Sequence, residues 1–146
     1  MQKAAPPLAA AGLPDEPVLR KIRIPCIQRA TVGFATGRED LFMIDLGLRG
    51  VFVERPRPGA AGEEIDLWFT LPGNEIRIHT RCRVAWVRPS VVAVGPRALP
   101  AGIGLEFVAM TDRDTERVRQ YLVEYLRQHP RQRRFLRHPE EAEEEA

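Results

Sequence analysis

Phe42–Val53, FMIDLGLRGVFV, decides how the rest of this chain is read. Two apolar runs, Phe42–Ile44 and Val51–Val53, are rich in β-branched and aromatic residues and read as strands. Between them lies Asp45-Leu46-Gly47-Leu48-Arg49-Gly50, with the glycines and aspartate of a tight polar connection. Glycine admits positive φ and close approach, and aspartate can accept from nearby backbone N–H groups. By itself the stretch is a corner between antiparallel strands, and its neighbours decide whether it is more.

Upstream, Leu19–Pro25 (LRKIRIP) is a short basic arm, and Met1–Val18, rich in alanine and proline, reads as a disordered leader. Pro25 has no N–H to give a ladder, so the first strand is expected to begin near it, over Cys26–Ala35. Thr36–Asp40 reads as a turn, followed by strands over Leu41–Leu46 and Gly50–Glu54. Arg55–Glu63 is a loop, Glu64–Leu71 a strand and Pro72-Gly73-Asn74 a turn.

Glu75–Arg88 alternates most clearly. Ile76, Ile78, Thr80, Cys82, Val84 and Trp86 fall on one side, and Glu75, Arg77, His79, Arg81 and Arg83 on the other. Period two sends the first set, Trp86 included, to the core and makes the second a basic outer stripe. A solvated face that discourages edge pairing is the plain account of that stripe. Val91–Val94 offers a short strand within a loop, and Gly102–Ala109 is the last strand. Thr111 or Asp112 then caps a helix whose apolar face is Val118, Tyr121, Leu122, Tyr125 and Leu126, ending before Pro130. The order is strands, then one helix. It predicts a mainly β fold, a small six-stranded antiparallel barrel with a C-terminal helix.

The expected organisation is a leader over 1–18, one domain over 19–128 and a charged flexible tail over 129–146. In that tail Arg131, Arg133, Arg134 and Arg137 precede the acidic run Glu140–Glu145. Twenty-two Lys and Arg nearly balance 20 Asp and Glu, so net charge argues for neither a nucleic-acid nor a membrane partner. Cys26 and Cys82 lie far apart, without metal-ligand spacing, and suit a reducing cytoplasmic setting. No apolar run approaches the length of a membrane span, so insertion is not expected.

Taken together, the order of elements and their motifs resemble the PilZ domain family from about Leu19 to Leu126. The residues that carry the resemblance are the basic arm, Asp45 and Gly50, and the run Gly102-Ile103-Gly104-Leu105-Glu106-Phe107 before the helix. The family is a six-stranded barrel with a C-terminal helix, and many members bind cyclic di-GMP. They do so through R-x-x-x-R before the first strand and [D/N]-x-S-x-x-G after the second. The resemblance implies a ligand set of Arg20, Lys21, Arg23, Asp45, Gly47 and Gly50, with Asp45 on a guanine edge and Gly50 as the closing glycine. Two departures stand out: Gly47 occupies the serine position, and Arg20 and Arg23 are three apart rather than four. An odd offset in extended chain sends two side chains to opposite sides. Two lost hydrogen bonds at about 1–3 kcal/mol each would weaken affinity roughly 100-fold or more.

Two functions follow from the resemblance. One is a PilZ-like adaptor that works through a protein partner in bacterial signalling, with weak or no cyclic di-GMP binding and no cofactor. Its expected partner surface is Arg77, Arg81, Arg83, Tyr121 and Tyr125. The other is a cyclic di-GMP effector whose arm folds onto the barrel when ligand binds. The two departures favour the adaptor. Nucleic-acid binding is disfavoured by few exposed aromatics, with Trp86 assigned to the core and Trp68 to an apolar run. An enzyme is disfavoured because His79, His129 and His138 lack nearby carboxylates or cysteines at catalytic or metal-ligand spacing.

Overall fold

The computed structural model describes residues 16–130. The leader and tail expectations therefore lie outside the described residues, apart from the few at each boundary. A four-residue helix, α1 (Glu16–Leu19), leads into β1 (Arg23–Phe34), β2 (Gly37–Gly47), β3 (Gly50–Glu54), β4 (Glu64–Phe69) and β5 (Ile78–Arg88). Two short strands, β6 (Val92–Val94) and β7 (Arg97–Leu99), precede β8 (Gly102–Phe107) and α2 (Asp112–Gln128).

Six strands close into an antiparallel barrel in the order β1-β2-β3-β8-β5-β4, and β4 returns to pair with β1 from Ala30↔Phe69 to Gly33↔Asp66. Alternation drives the closure. On β4, Ile65, Leu67 and Phe69 are buried while Glu64, Asp66 and Trp68 face outward; on β5, Ile78, Thr80, Cys82 and Val84 turn inward. Between β5 and β8 the chain leaves the barrel as the β6–β7 hairpin, paired only with itself.

One end of the core is covered by helical residues. Leu19 of α1 and Val118, Leu122 and Leu126 of α2 are all fully buried in the same cluster as the inward-facing strand residues. The spacing of the last three is the apolar helix face read from the sequence, and each such burial is worth about 1.5–3 kcal/mol. Thr111 caps α2: its Oγ1 accepts from the N–H of Asp114 at 3.1 Å. Tyr121 and Tyr125 are partly buried against the core, and the Tyr125 ring stacks on His129 at 4.0 Å.

Four local expectations need correction. The alternation read from Glu75 begins only at Ile78, so Ile76, expected in the core, lies ahead of β5 and is 48% exposed. β1 runs through Pro25, which sits opposite Asp45 beside a bulge before Gln28. Its pairing with β4 starts only at Ala30, so along Arg23–Gln28 the strand has a ladder on one side, where a proline is tolerated. The turn expected over Thr36–Asp40 is shorter: Ala35 and Thr36 make it, and β2 starts at Gly37. Arg38–Asp40 instead pair with Thr31–Gly33. Trp86 is not in the core. The β5–β8 register shifts between Val84 and Trp86, and this bulge turns the indole outward, leaving it 45% exposed.

Candidate functional site

Asp45 lies near the end of β2, three residues before the Leu48-Arg49 connection to β3. The β2–β3 register shifts between Met43 and Asp45, which places Asp45 opposite Phe52. Its Oδ1 accepts the backbone N–H of Phe52 at 3.0 Å and the Arg23 Nε–H at 3.1 Å. A second donor from the same guanidinium, Nη2, closes an ion pair with that oxygen. Arg23 heads β1 directly across from Gly47. The fold thus joins Arg23, Asp45 and Gly47 of the expected ligand set. Arg20 is exposed on the turn after α1, and Lys21, also exposed, donates its backbone N–H to Val18 at 2.9 Å.

The two glycines of the motif serve the backbone. A Cβ at Gly47 would sit 3.0 Å from the Ile22 carbonyl oxygen, so the arm packs directly on that residue. A Cβ at Gly50 would sit 1.9 Å from the Leu105 carbonyl oxygen, so Gly50 is what lets β3 approach β8. The close approach expected there for a ligand is taken by a neighbouring strand.

Beside the Arg23–Asp45 pair lies a shallow groove of about 160 Å³ lined by Arg23, Arg49, Gly50, Trp86, Gly104 and Glu106, among others. Sites that enclose small ligands span roughly 300–1,000 Å³, so a dinucleotide would lie across this surface rather than inside it. Gly104 lies in the groove, and Gly102 two residues before it lies under the Phe52 ring. A Cβ on either would strike the Phe52 or Trp86 ring, at 2.7 Å and 2.0 Å respectively. Phe52 is thereby buried on the outer face, stacked on Trp86 with ring centres 5.1 Å apart. Arg88 covers both rings, at 4.7 Å and 5.2 Å, and its Nη1 donates to the Pro100 carbonyl at 3.0 Å. Arg88 and Arg49 were not singled out as site residues from sequence, and Trp86 was assigned to the core. The G-x-G of β8, which clears space for rings lying flat, was the available signal.

The expected partner stripe is largely neutralised. Arg81 pairs with Asp66 at 3.1 Å and Glu64 at 3.5 Å, and Arg83 pairs with Glu106 at 3.2 Å. Arg77 and Arg38 lie over the Trp68 ring at 5.7 Å and 4.6 Å, while His79 stacks on it at 4.7 Å and meets Asp66 at 3.2 Å. Trp68 is the platform of a cross-strand ladder, with its ring already in contact with Arg38 and His79. Tyr121 and Tyr125 belong to α2 and the core cover rather than to this ladder.

Burial sets the thiol chemistry. Desolvation first, and then the charge of Asp45, pushes Cys26 up to about 11. Desolvation and then Asp66 push Cys82 up to about 12. Burial likewise raises the Tyr121 phenol, with Cys26 and Tyr125 adding to it. Among the described residues no group of three or more His, Cys, Asp and Glu could hold a metal ion, and no helix is long and apolar enough to cross a membrane.

A family model, the PilZ domain, matches residues 19–137. The chain belongs to the PilZ family. Its barrel is similar to the PilZ domain of YcgR from Escherichia coli, a structure with c-di-GMP. That likeness has a TM-score of 0.57 and 15% identity, covering 77% of this chain and 94% of that one. It is also similar to the Bacillus subtilis inhibitor of motility, MotI/DgrA, with a TM-score of 0.56, 17% identity and 71% of this chain covered. This PilZ chain spans about half of that protein, 49% of its length. At such identities the likeness establishes the fold: a closed six-stranded barrel with a C-terminal helix. No curated protein sequence matches the chain.

Proposed function

We propose that this chain is a PilZ regulatory domain of bacterial signalling that acts by protein–protein contact, with weak or no affinity for cyclic di-GMP. The observation that carries the reading is the fate of the arginine pair. Counting four residues back from Arg23, the family's first arginine falls on Leu19, which is 0% exposed. Counting four forward from Arg20, the second falls on Ile24, which is 1% exposed. Either register replaces a ligand guanidinium with a core aliphatic.

The Arg23–Asp45 pair is a weaker obstacle. Its side chains are 43% and 32% exposed, and such pairs are worth about 0–1 kcal/mol, so a nucleotide could open it. A missing guanidinium contact costs about 1–3 kcal/mol, or roughly 5- to 150-fold in affinity. Gly47 removes a hydroxyl as well, and a serine there would press on the Ile22 carbonyl. Cytoplasmic placement and independence from any cofactor belong to the same reading.

The second reading, a cyclic di-GMP effector, draws support from Arg23 and Asp45 meeting at the rim of a surface groove, with Arg20 exposed nearby in sequence. Calorimetric titration of cyclic di-GMP separates the two. The adaptor reading expects no saturable heat at micromolar ligand from a protein folded by circular dichroism. Saturable micromolar binding that disappears in Arg23→Ala and Asp45→Ala establishes the effector instead.

A further inference from the structure

The segment that reads as a ligand arm is already fastened to the barrel. Leu19 is 0% exposed and Ile22 5% exposed, both within the same buried cluster as Val118, Leu122 and Leu126 of α2. The backbone between them is tied as a turn, with the Lys21 N–H donated to Val18 at 2.9 Å and the Ile22 N–H donated to Leu19 at 3.2 Å. The Ile22 carbonyl then packs on Gly47, and Arg23 closes on Asp45. Burial, turn hydrogen bonds and an ion pair therefore act on four of the five residues 19–23, Leu19, Lys21, Ile22 and Arg23.

We propose that Leu19 is a built-in latch that holds residues 19–23 closed on the barrel without a nucleotide, so that the surface this arm shows to a protein partner is constitutive. The reasoning is one of substitution. An arginine at that position keeps its charge in water and needs a bound anion to draw it onto the barrel. Leucine there gains by entering the core and needs nothing else. The same site that loses a ligand contact gains an intramolecular one, and the arm's closed state ceases to depend on a small molecule. Arg23 is secondary, because its pair with Asp45 is solvent-accessible and weak.

The inference deepens the adaptor reading, and its test is arranged to fail separately from it. Hydrogen–deuterium exchange is followed for the Lys21 and Ile22 amides in the full chain, with and without cyclic di-GMP. The latch expects ligand-free protection well above a free peptide; exchange within about tenfold of a free peptide overturns it. Leu19→Ala should speed exchange of the arm roughly 30-fold or more, the loss typical of truncating a buried leucine. The Val51 and Val53 amides of the barrel serve as the internal reference. Arg23→Ala should leave the arm protected. If Leu19→Ala also unfolds the barrel, the wild-type and Arg23→Ala amides still decide the question. Protection without ligand together with micromolar nucleotide binding would keep the latch and remove the adaptor reading. Free exchange without nucleotide binding would do the reverse.

Discussion

Replacing Gly50 by alanine tests whether the closing glycine of the motif belongs to the fold or to a ligand. Its added Cβ would stand 1.9 Å from the Leu105 carbonyl oxygen, 3.0 Å from its carbon and 3.3 Å from the Glu106 Cα. All three are backbone atoms of β8, so no side-chain rotation relieves the contact, and the two strands must part by about 1 Å at this point. Overpacking that a core can absorb costs about 1–3 kcal/mol, and a collision with a ladder belongs at or above the top of that range. At roughly 4 °C per kcal/mol for a domain of this size, Gly50→Ala should melt about 12 °C lower by circular dichroism. Gly104→Ala is the matched control. There the intruding Cβ meets the Trp86 ring at 2.0 Å, a side chain on the surface that can swing out. That variant should lose about 1 kcal/mol and shift tryptophan emission to the red as the indole lifts from its bed. A Gly50→Ala protein melting within about 4 °C of the parent refutes the argument. So does a Gly104→Ala protein damaged as much as Gly50→Ala.

Asp45 and Arg23 should separate in the same kind of measurement. Asp45→Ala orphans the N–H of Phe52, a residue 2% exposed, and should lower stability in urea by about 1–3 kcal/mol. Arg23→Ala should cost under about 1 kcal/mol, and an Asp45→Ala loss no larger than the Arg23→Ala loss contradicts the assignment. The thiols of Cys26 and Cys82 should resist iodoacetamide in the native protein at pH 8 and react on unfolding; rapid native alkylation refutes their burial. Because both folded values are raised, from 9.0 to about 11 and about 12, the unfolded chain releases these protons first. Their contribution to stability is full below pH 9 and lost as pH rises toward the folded values, so the urea midpoint should fall over that window. A midpoint that climbs there contradicts the sign.

The fold was legible over most stretches of unbroken period, the exception being Ile76, which keeps the alternation of β5 but lies ahead of the strand and exposed. The run of short strands, the corner at Asp45–Gly50 and the helix face at Val118, Leu122 and Leu126 are all where the pattern places them. What escaped were departures from period two that no single residue type announces. The bulge ahead of Trp86 adds a residue, and one added residue exchanges the faces of everything beyond it. The site was half legible. Asp45 and Arg23 stand out by residue type, but their mutual pairing is a contact across 22 positions that local pattern cannot see. Leu19 was hidden by composition. Set among Arg20, Lys21 and Arg23 it reads as part of a basic arm, although its spacing of three from Ile22 is that of one helical turn entering a core.

The β6–β7 hairpin carries a consequence of another kind. Every strand of the barrel has a neighbour on both sides, whereas this hairpin holds two open edges away from it. Strands of three residues, set between Pro89 and Pro100 and turning at Gly95-Pro96, offer too short a template for stray pairing. The barrel ladder ends at Arg88↔Gly102, before the hairpin starts. Chain length can therefore change at Gly95-Pro96 without disturbing a barrel hydrogen bond. That tip is a natural port for an inserted tag or reporter peptide, and the place where related barrels can vary their outline without re-solving their fold.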